Sequence, residues 1–253
     1  MAHGLGVVVV LGGCAVSALV RRPRRPGAGS WRVLGWVARL GIAGVEPARR
    51  ALGLSQAVVY SHLGRLAEDG IVTRLVVGDG RGGVVALTRR GARIARERGL
   101  PGVLTPWSSS PASGRHGRAV SWVAAAAELR GWEWRGPAEL RAEAGWMPAR
   151  SDGRRHAPDL GIVRASGRTA IEVELHDKSR DRLHAILAGY RELIDHGNLT
   201  AVSYVTDRRN VSELVRREAA AALLGRDLHV GPLDRIVADV RSRASNGRGE
   251  RGQ

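Results

Sequence analysis

The chain holds a single cysteine, Cys14, a single lysine, Lys178, and no phenylalanine. One thiol excludes an internal disulfide and a cysteine-built zinc cluster, and it fits a reducing cytoplasm. Without phenylalanine, the aromatic filling of a core falls to 7 tryptophans and 3 tyrosines. Trp122, Trp132, Trp134 and Trp146 read as core residues. The positive charge rests almost wholly on arginine, a bias of GC-rich coding rather than of physics, and it singles out Lys178. No internal repeat is present. The glycines between 78 and 83 separate two β-rich runs rather than a strand from a helix, so they do not form a phosphate-cradling loop. His156, His176 and His184 lack metal-ligand spacing and read as surface or structural groups.

What is present is length and charge. At 253 residues the chain suits two modest domains. Its net charge is +16, unevenly spread: residues 1–115 carry 17 arginines against 5 acids. A field that positive on one half attracts polyanions, of which nucleic acid is the commonest. Residues 5–20 form an apolar run just short of the ~17 residues that cross a bilayer, without the basic start of a signal peptide. Arg21, Arg22, Arg24 and Arg25 follow it. Residues 1–30 therefore read as a start-site extension, a packed element or a membrane tether. A tether would give residues 5–20 a membrane contact and leave the remainder cytoplasmic.

From Trp31 apolar residues recur at three- and four-residue steps, the helical period. Pro47 suits the first turn of a second helix over 47–52. Ser55 suits the cap of a third, running to about Asp69 and stopped by Gly70. Two β-rich runs, 71–77 and 83–87, flank a glycine-rich turn, and Thr88-Arg89-Arg90-Gly91 opens a helix to about Arg98. This order predicts a winged helix-turn-helix over 31–98. In the third helix Val59, Leu63 and Leu66 share one face, whereas Gln56, Ala57, Tyr60, Ser61 and Arg65 are left for solvent or a major groove. Gln56 suits paired hydrogen bonds to adenine, Arg65 or Tyr60 suits phosphate, and Arg81 at the turn suits a minor groove or the backbone. His62 lies on the side nearer the core and reads as structural. The segment from Ser55 to Val72 resembles the recognition helix of MarR- and ArsR-like repressors.

Residues 99–118, rich in Pro, Ser and Gly, read as a mobile linker between independently folding domains. Beyond it the pattern predicts a helix at 119–130, a short strand near 132–134, strands at 159–164 and 169–175, and a helix at 179–195. A strand at 200–205, a helix at 211–224, a strand at 227–230 and a helix at 233–243 follow, with 244–253 as a disordered tail. The fold class is α/β, two domains, the second (119–243) a mixed sheet flanked by helices.

The sharpest chemical signal is Ala157-Pro158-Asp159 followed by Glu172-Val173-Glu174 and Lys178. Strand parity puts Glu172 and Glu174 on one face and Ile171, Val173 and Leu175 toward the core. If the strands pair antiparallel, Asp159 and Glu172 converge on one hard cation. Three acids crowded without a cation are expected to show raised pKa values. Glu128 and Glu139 are candidates for a further acid.

The Pro-Asp, Glu-x-Glu and element order resemble the PD-(D/E)xK nuclease core. That resemblance implies Mg2+ or Mn2+ held by Asp159 and Glu172, and catalysis by Asp159, Glu172, Glu174 and Lys178. Glu174 stands where that family carries lysine, and Lys178 is the substitute four residues on. The combination, with Arg182 and Tyr190 on the following helix, resembles the replication-relaxation family of actinobacterial plasmids and mobile elements. That likeness implies sequence-directed binding of double-stranded DNA in replication, transfer or regulation. The alternatives are a metal-dependent DNA nuclease and a transcriptional regulator whose second domain forms a homodimer or senses a ligand.

Overall fold

Apolar residues spaced for a helix bury Val33, Leu34 and Val37 on the inner face of α1 (Ala28–Leu40). This helix starts ahead of Trp31, within the stretch read as a leader. A computed structural model describes residues 26–77, 82–103, 110–149 and 153–246. The apolar run 5–20, Arg81 and the end of the tail lie outside the described residues.

A short strand that the sequence did not announce, β1 (Ile42–Gly44), leads into α2 (Val45–Ala51) and α3 (Gln56–Glu68). Ser55 caps α3 as expected, its hydroxyl accepting from the Val58 N–H at 3.3 Å. β2 (Val72–Leu75) and β3 (Val84–Leu87) complete a three-stranded antiparallel sheet in the order β1-β3-β2. Thr88 then caps α4 (Arg89–Glu97): its hydroxyl accepts from the Gly91 N–H at 2.9 Å and donates to the Gly70 and Ile71 carbonyls.

The expected linker is overturned over its C-terminal part. α5 (Pro111–Leu129) begins eight residues before the predicted helix and buries Gly114, Gly117 and the run from Ala119 to Ala127. It lies against β1 and α2 on one side and against the second sheet on the other. At the crossing, a Cβ on Gly117 would stand 2.6 Å from Ile42 Cγ2. The adjacent Ser121 hydroxyl donates to the Gly117 carbonyl at 2.7 Å and accepts from the Gly44 N–H at 3.0 Å. One apolar cluster therefore runs from Val33 and Leu63 through α5 to Ile162, Ile171 and Val173. The two halves share a core rather than hanging on a mobile tether.

A second tie is Arg39 of α1, which pairs with Glu139 at 2.7 Å and lies 3.7 Å over the ring of Trp134. Glu139 belongs to α6 (Pro137–Ala142), which was not predicted, and Trp134 to β4 (Glu133–Arg135). β5 (Leu160–Arg164), β6 (Gly167–Val173), α7 (Arg180–Asp195), β7 (Ala201–Val205), α8 (Arg209–Ala221), β8 (Leu228–Gly231) and α9 (Leu233–Asn246) follow. The second sheet is mixed, in the order β4-β5-β6-β7-β8, antiparallel through β6 and parallel from β6 to β8. Among the described residues the chain is thus α/β with two sheets. α9 continues to Asn246, past the predicted start of the tail.

Candidate functional site

β6 is covered on both faces, and this decides the environment of the acids. Ile171 and Val173 join the cluster around α5. Ala170, on the opposite face, packs with Leu183, Ile186, Leu187 and Tyr190 of α7 and with Tyr204 of β7. The parity argument holds, but the face left to Glu172 and Glu174 is itself interior: they are 2% and 8% exposed. A buried carboxylate needs compensating donors or cations, and both find them. Glu172 Oε1 accepts from the Tyr190 hydroxyl and lies 2.7 Å from His156 Nε2. Lys178 Nζ forms an ion pair with Glu174 Oε2 and lies 3.9 Å from Glu172 Oε2. Lys178 is held there because it enters the turn before α7, four residues after Glu174.

Asp159 precedes β5, whose Leu160 is paired antiparallel with Ile171. Its Oδ2 accepts from the Val173 N–H at 2.7 Å, and its Oδ1 stands 2.9 Å from His116 Nε2. The four predicted residues therefore meet in one electrostatic cluster. The expectation of raised carboxylate pKa values is overturned at Asp159. Burial pushes its carboxyl upward, but His116, the Val173 N–H and Lys178 together hold it below the usual aspartate value. Burial pushes His116 and Lys178 downward, and the surrounding carboxylates raise both above their ordinary values. Burial, together with Glu172, drives the Tyr190 hydroxyl well up, so it stays a donor. Tyr204, paired in register with Glu172, is wholly buried, and its hydroxyl has no hydrogen-bond partner among the described residues.

His116, which falls in the stretch expected as linker, and His156, expected as a surface or structural group, both touch predicted site residues. Glu128 and Glu139, the candidate further acids, do neither: Glu128 accepts from Trp134 Nε1 at 2.9 Å and Glu139 holds Arg39. Arg180 turns away from the cluster to pair with Glu218 at 2.8 Å. A cavity of about 380 Å3 opens beside the cluster, lined by Leu40 and Ile42 from the first sheet's side, by Val120 and His116 of α5, and by Asp159 and His176. Three carboxylates suit a hard cation in their donor chemistry. As arranged, however, both Asp159 oxygens are engaged by His116 and the Val173 N–H, Glu172 Oε1 is engaged by His156 and Tyr190, and Glu172 Oε2 lies 3.9 Å from Lys178 Nζ. No group of three or more His, Cys, Asp or Glu is disposed to hold a metal among the described residues.

The Asp159–His116 contact has a pH signature. A carboxyl held below its ordinary value adds stability above the usual aspartate range and loses it as pH falls through the lowered value. A histidine held above its ordinary value adds stability that is complete below about pH 6.5 and fades as pH rises through the raised value. The pair should therefore support the fold most between roughly pH 4 and 6.5. The melting temperature is expected to decline on the alkaline side, and His116→Gln to flatten that decline. An unchanged alkaline limb in the variant contradicts the assignment.

The second candidate surface is α3. Val59, Leu63 and Leu66 are buried. Gln56, Ala57, Tyr60, Ser61 and Arg65 are exposed, as is Val58, which the sequence reading left out. Arg74 on β2 is exposed as well. His62 is structural as expected, its Nδ1 lying 3.0 Å from the Ser30 hydroxyl. No protein-family model matches the chain, and no curated protein does. Among the described residues no helix is long and apolar enough to cross a membrane.

Proposed function

We propose that the chain binds double-stranded DNA in a sequence-directed manner through a winged helix-turn-helix formed by α1 to α4 and the β2–β3 hairpin. Its place is the replication, transfer or regulation of a plasmid or other mobile element. The observation that carries the reading is α3. A capped 13-residue helix buries one apolar face and offers solvent the opposite one, small and polar with an arginine on the third turn. The arginine surplus of the first 115 residues supports it, since phosphate neutralisation supplies most of the affinity. The family resemblance noted on the Pro-Asp and Glu-x-Glu segments agrees in kind.

A gel-shift series with the full chain tests the reading. Arg65→Ala is expected to weaken binding to all duplexes alike, by up to about tenfold, and Gln56→Ala to change which sequence is preferred. Equal affinity of wild type and the doubly substituted chain for every duplex would contradict it.

A second reading is a Mg2+- or Mn2+-dependent DNA nuclease of PD-(D/E)xK type. The observation favouring it is the meeting of Asp159, Glu172, Glu174 and Lys178 in one cluster. Asp159 and Glu172 would hold the cation, which would supply Lewis acidity, after releasing His116 and His156. Lys178 would balance the charge of Glu174. On supercoiled plasmid, nicking that needs the metal and disappears in Asp159→Asn is the expected sign. Identical behaviour of wild type and variant rules it out.

A further inference from the structure

The exposed face of α3 carries more information than that it meets DNA. The inference that follows rests on the DNA-binding reading above and concerns which bases are read. Ala57, Ser61 and Gly64 are spaced i, i+4, i+7 and so form one strip along the helix, directly opposite the buried Val59, Leu63 and Leu66. A glycine inside a helix weakens it relative to alanine, and nothing in the fold demands one here: a Cβ at position 64 would meet no atom within 4 Å. What a strip without bulk does provide is close approach, letting the helix axis sink toward base edges. Val58 flanks the strip on one side, 41% exposed; Gln56 and Tyr60 flank it on the other, Tyr60 39% exposed. An apolar residue left that open beside a strip of small residues gains nothing from solvent.

The chemistry along the first two turns is equally selective. In a helix-turn-helix the N-terminal residues of the reading helix contact base edges. In α3 these are Gln56, Ala57, Val58, Tyr60 and Ser61, with no arginine or lysine among them. Guanine is usually read by arginine or lysine against O6 and N7. Adenine is read by a carboxamide against N6 and N7, and thymine by an apolar contact with its C5-methyl. Arg65, one turn further on, is the arginine of this helix left for a phosphate contact.

We infer that α3 reads A·T base pairs in the major groove, Gln56 pairing with adenine and Ala57 with Val58 packing on thymine methyl groups, while the Ala57–Ser61–Gly64 strip sets the depth of insertion.

The test selects duplexes from a random-sequence library with the full chain, then measures the enriched duplex with thymine replaced by uracil, which removes only the methyl. The enriched site is expected to contain A·T pairs. Exchanging the Gln56-read pair for G·C should weaken binding about tenfold or more, and uracil should weaken it several-fold. Val58→Ser, at an exposed position, should shrink the difference between thymine and uracil to what Ala57 alone supports. Gly64→Ala should raise the melting temperature by roughly 2–4 °C yet weaken specific binding. A G·C-only consensus, or an affinity indifferent to uracil, overturns the inference while leaving duplex binding standing. Gly64→Ala binding as tightly as wild type overturns the insertion argument. Absence of any duplex binding removes the parent reading, and this one with it.

Discussion

Replacing Lys178 with methionine is expected to destabilise the fold by about 3–5 kcal/mol at neutral pH, the range for stranding a buried charge. The only lysine of the chain lies between Glu172 and Glu174, and its own side chain is 17% exposed. Methionine keeps the length and apolar stem but removes the cation. Glu172 retains its bonds to Tyr190 and His156, whereas Glu174 is left with a long contact to the His176 N–H. Surface ion pairs are worth under about 1 kcal/mol, so the size of the loss separates an interior pair from a superficial one. Adding Glu174→Gln to the methionine variant should recover most of the loss, because the stranded charge is then gone. Denaturant unfolding of the three chains measures this, and a loss below about 1 kcal/mol for Lys178→Met contradicts the buried-cluster description.

Gly91→Ala is expected to cost about 3 kcal/mol or more, the upper end for forced overpacking. The added Cβ would stand 2.0 Å from the Ile71 carbonyl oxygen and 2.9 Å from Leu87 Cδ1. Because the nearer obstacle is backbone, no rotamer relieves it. α4 must shift, and the shift breaks the Thr88 hydroxyl bonds to Gly70 and Ile71. The same exchange at Gly64 meets open space and should stabilise, so the two alanine variants should move in opposite directions. Since α5 ties both halves into one apolar cluster, the Gly91→Ala chain should also melt in a single transition, earlier than wild type. Two separated transitions would mean that the halves fold independently after all.

The Thr-x-x-Gly motif at Thr88 and Gly91 was legible because the cap is local: the Thr88 hydroxyl accepts from the N–H three residues on. The cap of α3, its buried face and the strand parity at Glu172 and Glu174 were legible for the same reason. What the sequence hid was tertiary. Parity says which side Glu172 takes, but not that α7 covers that side as well, so an apparently open acid face is interior. His116 was missed because the Pro, Ser and Gly content of residues 99–118 reads as linker. The signal that corrects it was present: Ser110 followed by Pro111 is an N-cap with proline at the first helical position, and Ser110 Oγ accepts from the Ser113 N–H at 3.1 Å. β1 and α6, at 3 and 6 residues, are too short to carry a readable period.

Engagement of duplex DNA by the exposed face of α3 and by arginines of the first 115 residues, as proposed, is tested most directly by the salt dependence of binding. Titrating the full chain against a fluorescently labelled duplex between about 50 and 200 mM salt should give a straight line of log affinity against log salt concentration. Each neutralised phosphate contributes about −0.9 to the slope, so contacts by Arg65 and three or more further arginines of the first 115 residues should give about −4 or steeper. Arg65→Ala should make the line shallower by about 1. An affinity independent of salt, or no binding at the lowest salt, would contradict the claim.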